Sequence, residues 1–204
     1  MKSSEKKFYF KSQKKSICYG VFLLLMLGGV ILGTVLVSTA DNLNFYRRLL
    51  FTHNIFKTKP DVSFVMQFFR SFLAVLMLLV LQFFSGYFAF GQVITMLSMV
   101  YRGVVSGISV AFIYIMLGVK GFFAVLVTAV PFAVLTAAVL ILGARESIKQ
   151  SGKIADYSFF GAKREANVPE TKLYLLKFSL LAVFLLILSL ADTIVIYFLG
   201  DVFF

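Results

Sequence analysis

Residues 91–107, GQVITMLSMVYRGVVSG, place a single arginine inside a long uncharged part of the chain. Before Arg102 come 31 uncharged residues, 71–101, and after it come 17 more, 103–119. An α-helix rises about 1.5 Å per residue, so about 20 apolar residues cross the roughly 30 Å hydrocarbon core of a bilayer. The stretch is therefore long enough for two membrane spans, and Arg102 falls within the second of them.

The composition of the whole chain indicates an all-α, polytopic membrane protein. Of its 204 residues, 60% are hydrophobic and 14% are charged, and the mean hydropathy is +0.95. A soluble domain carries about 25% charged residues. The net charge of +11 is explained by orientation in the membrane and by contact with anionic headgroups, so no nucleic-acid partner is predicted. One cysteine and one histidine exclude a disulfide framework and a Cys/His zinc motif.

Five transmembrane helices are predicted within one integral membrane domain, residues 1–204. The spans are residues 18–38, 64–85, 92–117, 121–143 and 173–193, and the polar loops are residues 39–63 and 144–172. Ser38, Thr39 and Ala40 also resemble a signal-peptidase site, but the 21-residue apolar run before them favours a retained span.

Charge asymmetry orients these spans. The amino-terminal block and residues 145–177 hold 13 of the 20 lysines and arginines. Five spans place both blocks on the same side, which the positive-inside rule makes cytoplasmic. The loop at residues 39–63 would then lie outside, although its four basic residues fit this side less well.

Three charged residues inside the spans are candidate functional residues. Arg102 either snorkels to the cytoplasmic headgroups or lies buried in the bundle, where a cation is costly and needs polar partners. Counting residues from the predicted span ends places Asp192 and Arg70 near the outer face and Arg102 deeper. The hypothesis is therefore that Arg70 pairs with Asp192, while carbonyls, Tyr101, Gln92 or water meet Arg102. The alternative is that Arg70 and Asp192 merely touch headgroups.

Small residues mark the predicted helix contacts. The Gly-x-x-x-Gly pairs Gly29/Gly33 and Gly103/Gly107 allow helices to approach closely, either within one chain or between two copies of it. Two further candidate packing glycines, Gly86 and Gly91, are predicted to break the chain into a turn between the second and third spans.

Pro131 is predicted to kink the fourth helix near its middle. Catalytic motifs such as G-x-S-x-G, H-E-x-x-H and Walker A do not occur in the sequence. No catalytic residue, metal or cofactor is therefore predicted, and an enzyme is not expected.

The segment from Phe64 to Ser151 resembles the stage II sporulation protein M family. The resemblance rests on the spaced glycines Gly86, Gly91, Gly103 and Gly107, followed by Lys120-Gly121 and by Pro131. Length, about five spans and a basic amino terminus also fit. Family members often have asparagine before the glycine that Gly103 matches, where this chain has Arg102.

The resemblance implies a non-enzymatic scaffold of the cell membrane. Such a protein would assemble and localise peptidoglycan hydrolases during engulfment in sporulation, and its partners would be stage II sporulation proteins D and P or similar enzymes. The alternative from the residues is a subunit of a small-solute transporter, with Arg102 binding an anion in a polar cavity. Tight glycine packing around Arg102 would favour the scaffold.

Overall fold

The chain forms a bundle of long helices. The computed structural model describes residues 2–39, 64–160 and 171–203. The helices are α1 (Lys2–Ser38), α2 (Phe64–Ser85), α3 (Gly91–Ala124), α4 (Val130–Phe160) and α5 (Thr171–Phe203), and a π-helical turn, Val125–Ala129, joins α3 to α4. The predicted fold class, an all-α bundle with several spans, is confirmed.

Each helix contains a segment long and apolar enough to cross a membrane. These segments are Tyr19–Ser38, Phe64–Ser85, Gly91–Ile115, Val130–Ala155 and Thr171–Tyr197. Leucines on the outside of the bundle, such as Leu24 and Leu176, are 68% and 64% exposed. Such a surface is stable against hydrocarbon and unfavourable against water. The chain is a multi-pass membrane protein.

The third span is the most buried of the five, because other helices cover most of its circumference. Helix α1 packs along one side of it, and α2 and α4 pack along others. On the opposite side of the bundle, α2 and α5 meet through aromatic rings. Phe83 stacks on Tyr174 with ring centroids 5.3 Å apart, and Tyr174 lies 4.7 Å from Phe178.

The polar block from residue 144 onward is helical where the structure describes it, which corrects the predicted loop. Helix α4 continues to Phe160, and residues 161–170 lie outside the described part. The helix persists because its polar side chains face other helices. Ser147 and Ser151 are fully buried, and the Ser151 hydroxyl donates a hydrogen bond of 2.7 Å to the Phe88 carbonyl.

The predicted kink at Pro131 has a counterpart in the backbone, because the π-helical turn Val125–Ala129 lies directly before Val130 and Pro131. The fourth span is Val130–Ala155 by length and composition, so the irregularity lies near its start rather than near its middle. The irregular backbone precedes it, in the π-helical turn and at Gly118. Gly118 has φ 60° and ψ −135°, a conformation that favours glycine, and it separates the third span from the helix that follows.

The predicted outer loop, residues 39–63, lies outside the described residues apart from Thr39. The turn between the second and third spans is described. Helix α2 ends at Ser85 and α3 begins at Gly91, and the Gly91 N–H donates to the Phe88 carbonyl at 3.0 Å. Gly86 and Gly91 therefore flank the turn.

Candidate functional site

The two Gly-x-x-x-Gly motifs of the sequence face each other across the α1–α3 contact. A Cβ atom at Gly29 would overlap the Val100 carbonyl oxygen and lie 3.0 Å from the Gly103 Cα. A Cβ at Gly103 would likewise overlap the carbonyl oxygen of Met26. The two backbones are thus in direct contact, which glycine alone permits.

The second glycine of each motif repeats this contact one turn further along. A Cβ at Gly33 would overlap the Val104 carbonyl, and one at Gly107 would overlap the Val30 carbonyl. The contacts advance in the same direction on both helices, so α1 and α3 run parallel. The first and third spans of a bundle with alternating spans must do so. Both glycine faces are occupied inside a single chain.

Arg102 is buried at the centre of the bundle rather than snorkelling. Its side chain is 2% exposed, and its Nη2 donates a hydrogen bond of 3.0 Å to the Thr136 hydroxyl of α4. The preceding residue, Tyr101, is 50% exposed and faces outward. The structure thus selects the buried alternative for Arg102, with α4 supplying a polar partner.

Asp192 of α5 completes a polar cluster with Arg102. The carboxylate is 9% exposed and accepts a hydrogen bond of 2.9 Å from the Ser71 hydroxyl of α2. It also interacts electrostatically with Arg102. The sequence-based partners of Arg102 were carbonyls, Tyr101, Gln92 or water, and the structure adds the Thr136 hydroxyl and the charge of Asp192. Direct pairing of Arg70 with Asp192 stays a prediction, and Arg70 lies immediately before Ser71 on α2.

A second polar cluster, absent from the sequence-based predictions, joins α2, α3 and α4 near the turn between α2 and α3. The Ser85 hydroxyl lies 2.8 Å from those of Thr95 and Ser147, and Thr95 lies 3.2 Å from Ser147. We call these three side chains the hydroxyl cluster. All three are no more than 1% exposed, so the hydrogen bonds lie away from solvent.

Further polar contacts extend the hydroxyl cluster. The Gln82 amide nitrogen donates to the Ser98 hydroxyl at 3.2 Å, and the Tyr174 hydroxyl donates to the Phe83 carbonyl at 2.8 Å. Gly86 leaves room for this tyrosine, because a Cβ at Gly86 would overlap the Tyr174 hydroxyl oxygen. A Cβ at Gly91 would overlap the Ser85 carbonyl. Both predicted packing glycines thus lie beside the hydroxyl cluster.

Sequence spacing carried a signal for the hydroxyl cluster. Gln82 and Ser85, like Thr95 and Ser98, are three residues apart within apolar spans, and so place polar groups on one helix face. In a membrane, such a face is favourable against other helices rather than against lipid. A search for polar positions three or four residues apart would have identified this contact.

The hydroxyl cluster predicts the effect of removing one of its members. We expect Thr95→Val, which keeps the side-chain shape, to lower the free energy of unfolding by about 1 kcal/mol, because bonds to two other helices are lost. Thermal unfolding in detergent measures this. Thr193→Val is the matched control, because Thr193 is 1% exposed and its hydroxyl donates a hydrogen bond to the Ser189 carbonyl of its own helix. Equal losses in both variants would contradict a cross-helix role.

Both polar clusters and the glycine contact connect helices of this chain to one another. The chemistry that they offer is hydrogen bonding and charge neutralisation between packed helices. No family model matches the chain, and comparisons with curated proteins and with solved structures give no match either. A function for this chain is therefore inferred from the geometry of the described residues.

Proposed function

We propose that this protein is a non-enzymatic scaffold of the cell membrane that assembles and localises peptidoglycan hydrolases. In this proposal it is a divergent member of the stage II sporulation protein M family, and it acts during engulfment with stage II sporulation proteins D and P or with similar hydrolases. One observation supports the proposal most directly. Arg102 and the glycines that follow it, Gly103 and Gly107, contact other helices of the same chain.

Close packing around Arg102 is what a scaffold requires. Its guanidinium is buried against Thr136, and the next residue, Gly103, touches the backbone of α1. A rigid bundle holds its outer surfaces and loops in fixed positions, so that several partners can be held at once.

A transporter subunit would need a polar cavity at Arg102. The structure has a cavity of about 640 Å³ between α1, α3 and the π-helical turn, lined largely by apolar side chains such as Val110 and Leu126. Arg102 lies outside it. This arrangement favours the scaffold over the transporter.

The partner surface has to lie elsewhere than on the glycine faces, because α1 covers them. The predicted outer loop, residues 39–63, is the segment nearest to the space in which wall enzymes act, if the amino terminus is cytoplasmic. Helix α1, which holds Gly29 and Gly33, leads directly into this loop. The contact between α1 and α3 would therefore set the position of the loop.

Cross-linking and affinity purification from native membranes, followed by mass spectrometry, tests the proposal. We expect cell-wall hydrolases to be recovered with the tagged protein. Arg102→Leu should insert normally but recover fewer hydrolases, because the bundle that positions the partner surface is perturbed. Tyr101→Leu, on the exposed side of the same turn, should match the wild type. Recovery of an ATPase or a transported solute without hydrolases would overturn the scaffold.

A further inference from the structure

A small pocket lies where the end of α4 meets the start of α5. It has a volume of about 30 Å³, and three lysines, Lys149, Lys153 and Lys177, contribute to its lining together with Gln150 and Tyr174. A cavity needs about 10–15 Å³ on this measure to hold one water molecule, so the pocket admits about two oxygen atoms of a larger group lying across its mouth. We call it the lysine pocket.

The lysine pocket has an excess of positive charge. Among the residues that the structure describes, its lining contains one acidic side chain, Glu146, whose carboxylate already forms a salt bridge of 2.6 Å with Lys177. Two lysines, Lys149 and Lys153, thus remain in excess over the acid. The former is exposed and the latter half-buried. Their ammonium groups can therefore reach a ligand at the mouth.

A buried hydrogen-bond donor points to the kind of ligand. Gln150 lines the lysine pocket and is 5% exposed, and its Nε2 makes no hydrogen bond within the described residues. Burial of an amide donor without an acceptor is unfavourable, and native structures usually supply a partner. The missing partner is an acceptor, such as an oxygen of an anion.

The amino-terminal end of α5 adds to the positive electrostatic potential of the lysine pocket. Leu173 and Tyr174 lie in the first turn of this helix and line the lysine pocket, and the first turn contains no acidic residue. Backbone N–H groups in the first turn of a helix have no intrahelical partner, and the helix dipole is positive there. Phosphate groups bind readily at such positions when other donors converge on them.

We propose that the lysine pocket binds a phosphate group, carried by an anionic lipid headgroup or by a free phosphate. Lys149 and Lys153 would contact its charge, and Gln150, whose Nε2 is closed off from solvent in the structure, would turn toward the pocket to donate to one of its oxygens. The pocket lies within the last two turns of the span Val130–Ala155 and the first turns of Thr171–Tyr197, which is the depth of headgroups. This inference is independent of the scaffold function.

Titration of the purified full-length chain in zwitterionic detergent tests the proposal and separates the two sources. Phosphatidylglycerol is added in one series and inorganic phosphate in the other, and binding is followed by native mass spectrometry and by the rise in melting temperature. We expect saturable binding in one series. The double variant Lys149→Gln/Lys153→Gln should weaken it about 25-fold, since each lysine near an anionic surface contributes roughly fivefold.

Two further variants distinguish specific binding in the lysine pocket from nonspecific electrostatic attraction of the anion to basic residues. Gln150→Leu leaves the charge unchanged and should weaken binding about fivefold through the lost hydrogen bond. Lys14→Gln/Lys15→Gln removes the same charge from the amino-terminal block and should bind like the wild type. Saturation with phosphatidylglycerol assigns a lipid, and saturation with inorganic phosphate alone assigns a soluble anion. Equal weakening in both lysine double variants, or no saturable binding in either series, would overturn the proposal.

Discussion

Gly29→Ala is expected to lower the free energy of unfolding by about 2–3 kcal/mol, although it adds a single methyl group. That methyl would overlap the Val100 carbonyl and lie 3.0 Å from both the Gly103 Cα and the Val104 amide nitrogen. These atoms belong to a helical backbone, which cannot rotate away as a side chain can. Overpacking of a tight contact costs about 1–3 kcal/mol, and a contact with backbone lies at the upper end. Unfolding of the purified protein by SDS in mixed micelles gives the value.

The neighbouring glycine provides the control. A Cβ at Gly28 would meet no atom within 4 Å. Alanine favours a helix over glycine by up to about 1 kcal/mol, so Gly28→Ala should be neutral or stabilising. The same change is therefore expected to destabilise the protein at Gly29 and not at the adjacent Gly28. If the two variants have equal stability, the parallel contact between α1 and α3 is wrong.

Hydropathy was sufficient to predict five apolar helices, because a bilayer demands long apolar helices regardless of how they pack. It placed the fourth at residues 121–143, where the structure has Val130–Ala155. It failed for residues 144–160, where polar side chains were assumed to face water. Ser147 instead bonds to Ser85 and Thr95, and Ser151 bonds to the backbone at Phe88. Average hydropathy cannot separate a polar residue facing solvent from one facing another helix.

The motif Gly-x-x-x-Gly indicated close helix contacts but not the partner helix. Both motifs lie in long apolar spans, and nothing in their spacing distinguishes a partner within the chain from one in a second copy. The choice follows from tertiary packing, since α1 and α3 must run parallel and lie side by side before the glycines can meet. The sequence was therefore enough to predict which helix faces make close contacts, whereas the structure was needed to show which helix each face contacts.

The length of the arginine side chain explains how Arg102 reaches Thr136. The hydroxyl cluster places Thr95 level with Ser147. From there Arg102 is seven residues along α3, about 10 Å, and Thr136 is eleven residues along α4, about 16 Å. The arginine side chain extends along the bundle by the remaining distance of roughly 6 Å. Flexible basic side chains often bridge such gaps in membranes.

The electrostatic interaction of Arg102 with Asp192 predicts strong coupling between the two side chains. We expect Asp192→Leu to lower the free energy of unfolding by about 3 kcal/mol, because the buried guanidinium loses its compensating charge. Arg102→Leu alone should be similarly harmful, since it leaves a buried carboxylate with Ser71 as its hydrogen-bond donor. The double variant should be closer to the wild type than the sum of the single changes, because an apolar pair leaves no buried charge.

A double-mutant cycle in mixed micelles measures this coupling, and a second cycle with Arg70→Leu in place of Arg102→Leu is its control. Coupling of about 0.5–3 kcal/mol is typical of side chains that interact directly, whereas distant sites add within about 0.5 kcal/mol. We expect the larger value for Arg102 with Asp192. A larger coupling for Arg70 would restore the pairing first inferred from sequence. It would also leave Thr136 as the principal partner of the buried arginine, so that the charge at the centre of the bundle would be held by a hydroxyl group rather than by a carboxylate.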